Sequence, residues 1–203
     1  MLSYAVNCMR PNHLYNILIN LKVLIIISML LPVFVFSQSK KAGSIEYLKY
    51  NNGFDNIILG SDINQIPGYK LTYLDNDKKL DADSCLKYAY KDTSLLKLGN
   101  DLYLDLIGLR TYKNKIVNIY LFFKKKDGYK VLRNFLSDYG LFTDKPSDYV
   151  DIYDWRSSTV NLSLRYEIKA DLGVAIFTSN HLEKEIEAMK VKRLVNFFYM
   201  EKL

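Results

Sequence analysis

The chain has 203 residues, 28 Lys and Arg against 22 Asp and Glu, and a formal net charge of +6. The two signs are interspersed, so the charge serves solubility and leaves no basic stripe of the kind that tracks nucleic acid. Two cysteines in a chain of this length exclude a small disulfide-stapled scaffold, so the fold must rest on a hydrophobic core. The 17 tyrosines accompany an abundance of Lys, Ile and Asn. All four residue types have AT-rich codons, so the tyrosine count by itself carries no binding argument.

The first element is "KVLIIISMLLPVFVFSQSKK", Lys22–Lys41. Val23–Phe36 holds fourteen residues without charge. A membrane-spanning helix needs roughly 20 apolar residues, whereas the apolar region of a secretory signal needs only about 7–15. Arg10 and Lys22 supply the basic leading region, and Val35 and Ser37 place small residues for a cut before Gln38. Extending the apolar run back to Leu14 gives the competing reading, an uncleaved anchor. That anchor would bury Asn16, Asn20 and Lys22, and a charge near mid-membrane costs about 2.5–3.5 kcal/mol. The expected organisation is therefore a signal peptide over 1–37, a linker over 38–53 and one domain over 54–203. Export to the periplasm or the cell exterior follows. It again argues against nucleic acid as a partner and removes Cys8 from the mature chain. Met9 is a second candidate start.

Downstream, Asp62 and Gln65 mark a weak capping box for one helical turn, closed by Pro67 and Gly68. Strand patterns follow over Tyr69–Asp75, Ser84–Lys91, Asp101–Tyr112 and Lys115–Lys124. The last two read as a hairpin across Lys113-Asn114. Its second strand is apolar on both sides and therefore central. "DGYKVLRNFLSDYG" is a helix: Leu132, Phe135, Leu136 and Tyr139 share one face and Gly140 takes the C-terminal cap. Val160, Leu162, Leu164, Tyr166 and Ile168 alternate with polar residues, as in a strand with one face in water. Val174–Thr178 pairs with that strand across Ala170–Gly173. Asn180 and Glu183 form a capping box for a last helix running to about Met200. Strands and helices do not alternate regularly. The fold class is α+β, a single mostly antiparallel sheet of about six strands with helices packed on one face.

The series Phe54, Ile57, Leu59-Gly60-Ser61, the hairpin into Phe122-Phe123, the helix ending Tyr139-Gly140, and Asp154-Trp155 with two closing strands resembles uncharacterised exported proteins of Bacteroidota. The layout is similar to small periplasmic modules of the β-lactamase-inhibitor-like kind. The resemblance covers most of 54–179 and implies an exported α+β module. Its motifs are packing and turn motifs, and it transfers no catalytic residue.

Candidate chemistry is sparse. The four aspartates of "DNDKKLDADS", Asp75–Ser84, suggest a calcium loop, but the positions that need an oxygen ligand, Gly and Glu hold Lys79, Leu80 and Leu86. An acidic turn is the simpler reading. Zinc needs about four N or S ligands, and the mature chain offers Cys85 and His181 alone. No metal or cofactor is expected. Cys85 falls with Lys87 and Lys91 on the polar side of its strand. A partly exposed thiol there would have its pKa lowered by the ammonium groups, yet a nucleophile also needs a base such as His181. His181 reads more simply as an exposed residue of a first helical turn. No glycine-rich phosphate loop occurs. The sequon Asn161-Leu162-Ser163 sits in a strand. Lys124–Lys126 reads as a solvated strand end.

The best candidate site in the sequence is "TDKPSDYVDIYDWRSS". Asp148, Asp151 and Asp154 recur every three residues, with Tyr149, Tyr153 and Trp155 among them. Aromatic faces beside carboxylate acceptors suit a sugar or a peptide. The plain alternative is that the aromatics pack at the sheet edge and the aspartates are solvated. The leading function is an exported non-enzymatic binding or protein-interaction module. The alternative is a hydrolase using loop carboxylates or the Cys85 thiol. Leu194, Val195, Phe197, Phe198, Tyr199 and Met200 make the end of the last helix apolar all round. Packing within the domain, self-association and membrane contact are its expected uses, in that order.

Overall fold

Six consecutive antiparallel pairings join seven strands into the molecule's main sheet. The computed structural model describes residues 42–75, 85–99, 102–145, 151–167 and 171–200, and Lys40–Leu203 forms one compact unit. The sheet strands are β3 (Leu71–Asp75), β4 (Cys85–Tyr90), β7 (Leu106–Tyr112), β8 (Lys115–Lys124), β9 (Ile152–Arg156), β10 (Val160–Glu167) and β11 (Leu172–Ser179). They lie in the order β3-β4-β7-β8-β11-β10-β9, so β8 is the central strand expected from its two apolar sides. Two small ribbons flank the sheet: β1 (Gly53–Phe54) with β2 (Ile57–Ile58), and β5 (Lys97–Leu98) with β6 (Leu102–Tyr103). The β7–β8 turn takes Lys113 and Asn114 at φ 50° and 64°, the left-handed pair that matches a two-residue hairpin to strand twist.

Among the described residues three α-helices join the sheet: α1 (Ile45–Asn51), α2 (Gly128–Tyr139) and α3 (Asn180–Met200). The α+β class and the antiparallel sheet are as expected, with seven strands in place of about six. The helices, however, divide between the two faces. Cross-strand register puts Tyr88, Leu109, Ile119 and Phe177 in one row. The Phe135 ring of α2 meets Phe177 and Trp155 edge to face at 6.1 and 5.9 Å. Lys87, Arg110, Asn118 and Thr178 form the adjacent row on the opposite face, and there Glu183 of α3 reaches Arg110.

Residues 38–53, expected as a linker, contain α1. Its Leu48 is fully buried in the main core, and the Tyr47 ring lies 6.2 Å from Tyr139 of α2. Asn52 ends α1 in the left-handed conformation, donating its N–H to Leu48 O, the cap that Asn and Gly serve best. Val23–Phe36 and the cut before Gln38 lie outside the described residues. Among those described, no helix is long and apolar enough to cross a membrane.

The last helix forms over Asn180–Met200, but without the expected reciprocal box. The Glu183 carboxylate accepts from Arg110, and Asn180 Nδ2 donates to Ser157 O at 3.0 Å. Leu182, Ile186 and Met189 form the docking stripe, packed on Cys85, Tyr112 and Val117 as a second, smaller cluster. The side chains of Leu194–Met200, expected to pack within the domain, self-associate or contact a membrane, lie outside the described residues.

Candidate functional site

The segment richest in candidate residues is split by the geometry of a strand. Asp148 and Tyr149 lie outside the described residues, and Asp151 is exposed just before β9. Tyr153, Asp154 and Trp155 belong to β9 itself, where successive side chains take opposite faces. Trp155 opposes Leu162 and Tyr153 opposes Leu164, both on the face covered by α2, while Asp154 opposes Ser163 on the other. A three-residue spacing converges on a helix and diverges on a strand.

Trp155 offers no surface to a ligand. It is fully buried, donates Nε1–H to Gly140 O at 2.9 Å, and meets Phe135 and Phe142 edge to face. Burial with its one polar atom satisfied is the usual state of a core indole. Tyr153 is half-buried, its ring 5.2 Å from Phe142 with the Lys145 ammonium 5.6 Å from its centre. Asp154 and Asp144 both accept from Arg156 Nη2, at 3.3 and 3.2 Å. The two carboxylates are thus turned on one guanidinium.

The thiol and imidazole are likewise separated by environment. Cys85 does share a face with Lys87, as its register predicts, but it is only 1% exposed. It sits beneath Leu182 and Ile186 of α3 rather than at a polar surface. His181 turns to solvent on the first turn of that helix, its Nε2 3.2 Å from Glu185 Oε1. Among the described residues no group of three His, Cys, Asp or Glu side chains gathers for a metal ion. Asp138, at the end of α2, is the described carboxyl whose pKa burial pushes up.

A different region concentrates exposed apolar surface. Tyr69, Tyr73 and Leu74 are 78, 53 and 55% exposed, and all three lie in or beside β3, the terminal strand of the sheet. Two depressions flank this strand. One, of about 350 Å³, is lined by Ile63, Ile66, Leu71, Tyr73 and Tyr88. The other, of about 320 Å³, is lined by Leu74, Lys87, Leu106, Gly108, Tyr120 and Phe122. Each falls within the size range of small ligand sites.

Local sequence explains both. Pro67 and Gly68 open a 3-10 turn over Gly68–Lys70, which leaves Tyr69 at its exposed crest. Lys70 is held by Asp92 at 2.7 Å, which fixes the entry into β3. Asp92 also accepts from the Ser94 N–H and hydroxyl at 3.0 and 2.6 Å. These bonds, the one from Lys70 first among them, hold its carboxyl at about 2. The pairing of β3 with β4 shifts register between Tyr73 and Asp75, so Leu74 bulges outward. The second depression exists because Gly108 brings no side chain to a row where Tyr120 and Phe122 stack with rings 6.2 Å apart. None of this was visible as a motif. The one available signal was the sequence Tyr-Lys-Leu-Thr-Tyr-Leu at 69–74, too apolar for a terminal strand in water.

Comparison with known proteins gives no matching family model, no matching curated protein and no matching solved structure.

Proposed function

We propose that the chain is an exported, non-enzymatic binding module, and that its ligand surface is the β3 end of the sheet. The observation that carries this reading is the placement of Tyr73 and Leu74, each more than half exposed, between a mixed polar and apolar depression that includes Asn64 and an apolar one beside Leu106 and Phe122. Terminal strands of soluble proteins are normally blunted by charge or by cover. Large apolar side chains at a concave surface are what binding sites present. The leader over Val23–Phe36 supports export, since its length suits a secretory signal better than a span.

Peptide display tests the reading. Residues 38–203 serve as bait, and the double variant Tyr73→Lys/Leu74→Lys serves as the counter-bait. The reading expects clones that bind the parent and lose at least tenfold in affinity on the variant, with unchanged thermal unfolding. Clones indifferent to the variant would move the site elsewhere.

A further inference from the structure

The backbone of β3 specifies the kind of ligand more narrowly than its side chains do. In an antiparallel ladder, residues alternate between exchanging hydrogen bonds with the neighbour and aiming their N–H and C=O away from it. The bond from Lys91 N–H to Lys70 O at 2.7 Å sets the phase. Thr72 then exchanges bonds with Ala89, its register partner, while Leu71 and Tyr73 turn their backbone groups outward. The Leu71 N–H is taken up by Gly68 O. Three groups remain directed off the sheet: Leu71 C=O, Tyr73 N–H and Tyr73 C=O.

The other terminal strand shows what a protected edge looks like here. Along β9, Asp144 N–H donates to Asp154 O at 3.1 Å and Asp154 N–H to Asp144 O at 2.9 Å. Thr143 N–H also reaches Asp154 O at 2.7 Å, and Arg156 N–H donates to Thr143 Oγ1 at 3.0 Å. Among the described residues no strand pairs with the outer side of β3.

We infer that β3 binds an extended peptide segment of a partner protein by strand addition, in the antiparallel sense used throughout this sheet. The inference rests on the binding reading above and names its ligand class. Tyr73 exchanges two hydrogen bonds with one residue of the added strand, and Leu71 O accepts a third. Successive side chains of an added strand point to opposite faces. One set therefore reaches the depression at Leu71, Tyr73 and Tyr88, the other the depression at Leu74, Leu106 and Phe122. Main-chain bonds supply affinity and the flanking pockets select side chains, the division of labour of strand-adding domains. A compact apolar molecule would use the pockets and leave the three backbone groups unmatched. The bulge at Leu74 ends the ladder, so the paired stretch is short and the pockets must contribute to selectivity.

The test uses residues 38–203 and a panel of octapeptides with Thr at alternate positions and Val, Leu, Tyr or Phe between them. Each is made unmodified and in two backbone-methylated forms, one blocking the N–H groups of odd residues and one those of even residues. Strand addition expects binding of the unmodified peptide, retention by one methylated form and at least a tenfold loss by the other. It also expects slowed hydrogen exchange at the Tyr73 amide. Equal binding by all three forms overturns strand addition and leaves the binding reading intact. No binding by any peptide at 1 mM overturns strand addition, while display clones sensitive to Tyr73→Lys would still uphold the binding reading. Concentration-dependent dimerisation of the chain abolished by Tyr73→Lys would make the partner a second copy and overturn a heterologous ligand.

Discussion

Arg110 Nη1 lies 3.0 Å from Glu183 Oε2, joining the middle of the sheet to the first turn of the last helix across 73 positions of sequence. The guanidinium is almost buried, and the same nitrogen donates to Asn118 Oδ1 at 3.0 Å. Asn118 Nδ2 passes the chain of bonds to Thr178 Oγ1 at 3.0 Å. Removing the carboxylate takes one charged partner from a nearly buried cation, which is costly. Glu183→Ala is expected to destabilise by about 2 kcal/mol in denaturant unfolding, and Glu183→Gln by about half as much, since the amide oxygen still accepts. Equal stability of all three proteins would show that the contact is incidental.

The Cys85 thiol reports on the same helix. It is covered by Leu182 and Ile186, so a thiol reagent reaches it only when α3 lifts or the domain unfolds. Residues 38–203 carry one cysteine, Cys85, which is the reporting thiol. Labelling is expected to be slow in the native protein and at least tenfold faster in Glu183→Ala. Immediate labelling of the parent would contradict the burial and revive the thiol as a candidate nucleophile.

Gly140 joins two parts of the fold. It ends α2 at φ 75°, and a Cβ there would stand 2.6 Å from Gly43 O, while its own carbonyl holds Trp155. Gly140→Ala therefore meets both an unfavourable backbone conformation and a fixed carbonyl, and is expected to cost about 2–3 kcal/mol. Trp155→Phe keeps most of the ring and loses the hydrogen bond, at about 1–2 kcal/mol. The single tryptophan should emit at short wavelength in the folded state and shift red on unfolding. A red-shifted native spectrum would place it at the surface.

Two carboxyls shape the pH dependence with opposite signs. Asp92 is held at about 2, below its usual 3.8. Its contribution is fully present above the usual carboxylate range and is lost as pH falls through about 2. Asp92→Asn is expected to flatten the acid limb of the stability curve. Asp138 is raised by burial, so its ionisation opposes folding, and the opposition is relieved as pH falls through its folded pKa. Asp138→Asn should therefore raise the melting temperature at pH 7 and change it little at pH 3. The reverse pattern would misplace both groups.

The long periodic elements were legible because their pattern and their burial agree. The β8 strand, the α2 helix with its Gly140 cap and the two-residue turn at Lys113-Asn114 all fell where the sequence placed them. The helix α1 was not legible: seven residues are too few to show a helical period or to hold a helix alone, and packing of Ile45, Tyr47 and Leu48 on the core supports it. The β9 strand was hidden for a related reason. Its aspartates and its nearness to Pro146 read as loop, and its pairing partner is fixed by β10 rather than by its own pattern. The aromatic residues thought to face a ligand there were core residues, because a strand sends Tyr153 and Trp155 to the same buried side. The β3 surface escaped notice because an edge is a property of topology: no residue announces which strand of a sheet will be last.

The most direct test of β3 as the ligand surface is an amide NMR titration of residues 38–203 with a display-selected peptide. The expected shifts cluster at 63–75, at Lys87 and Tyr88 and at 106–109, with Tyr73 among the largest. A cluster at 151–156, with β3 unmoved, would contradict this and return the site to the aspartate-rich segment.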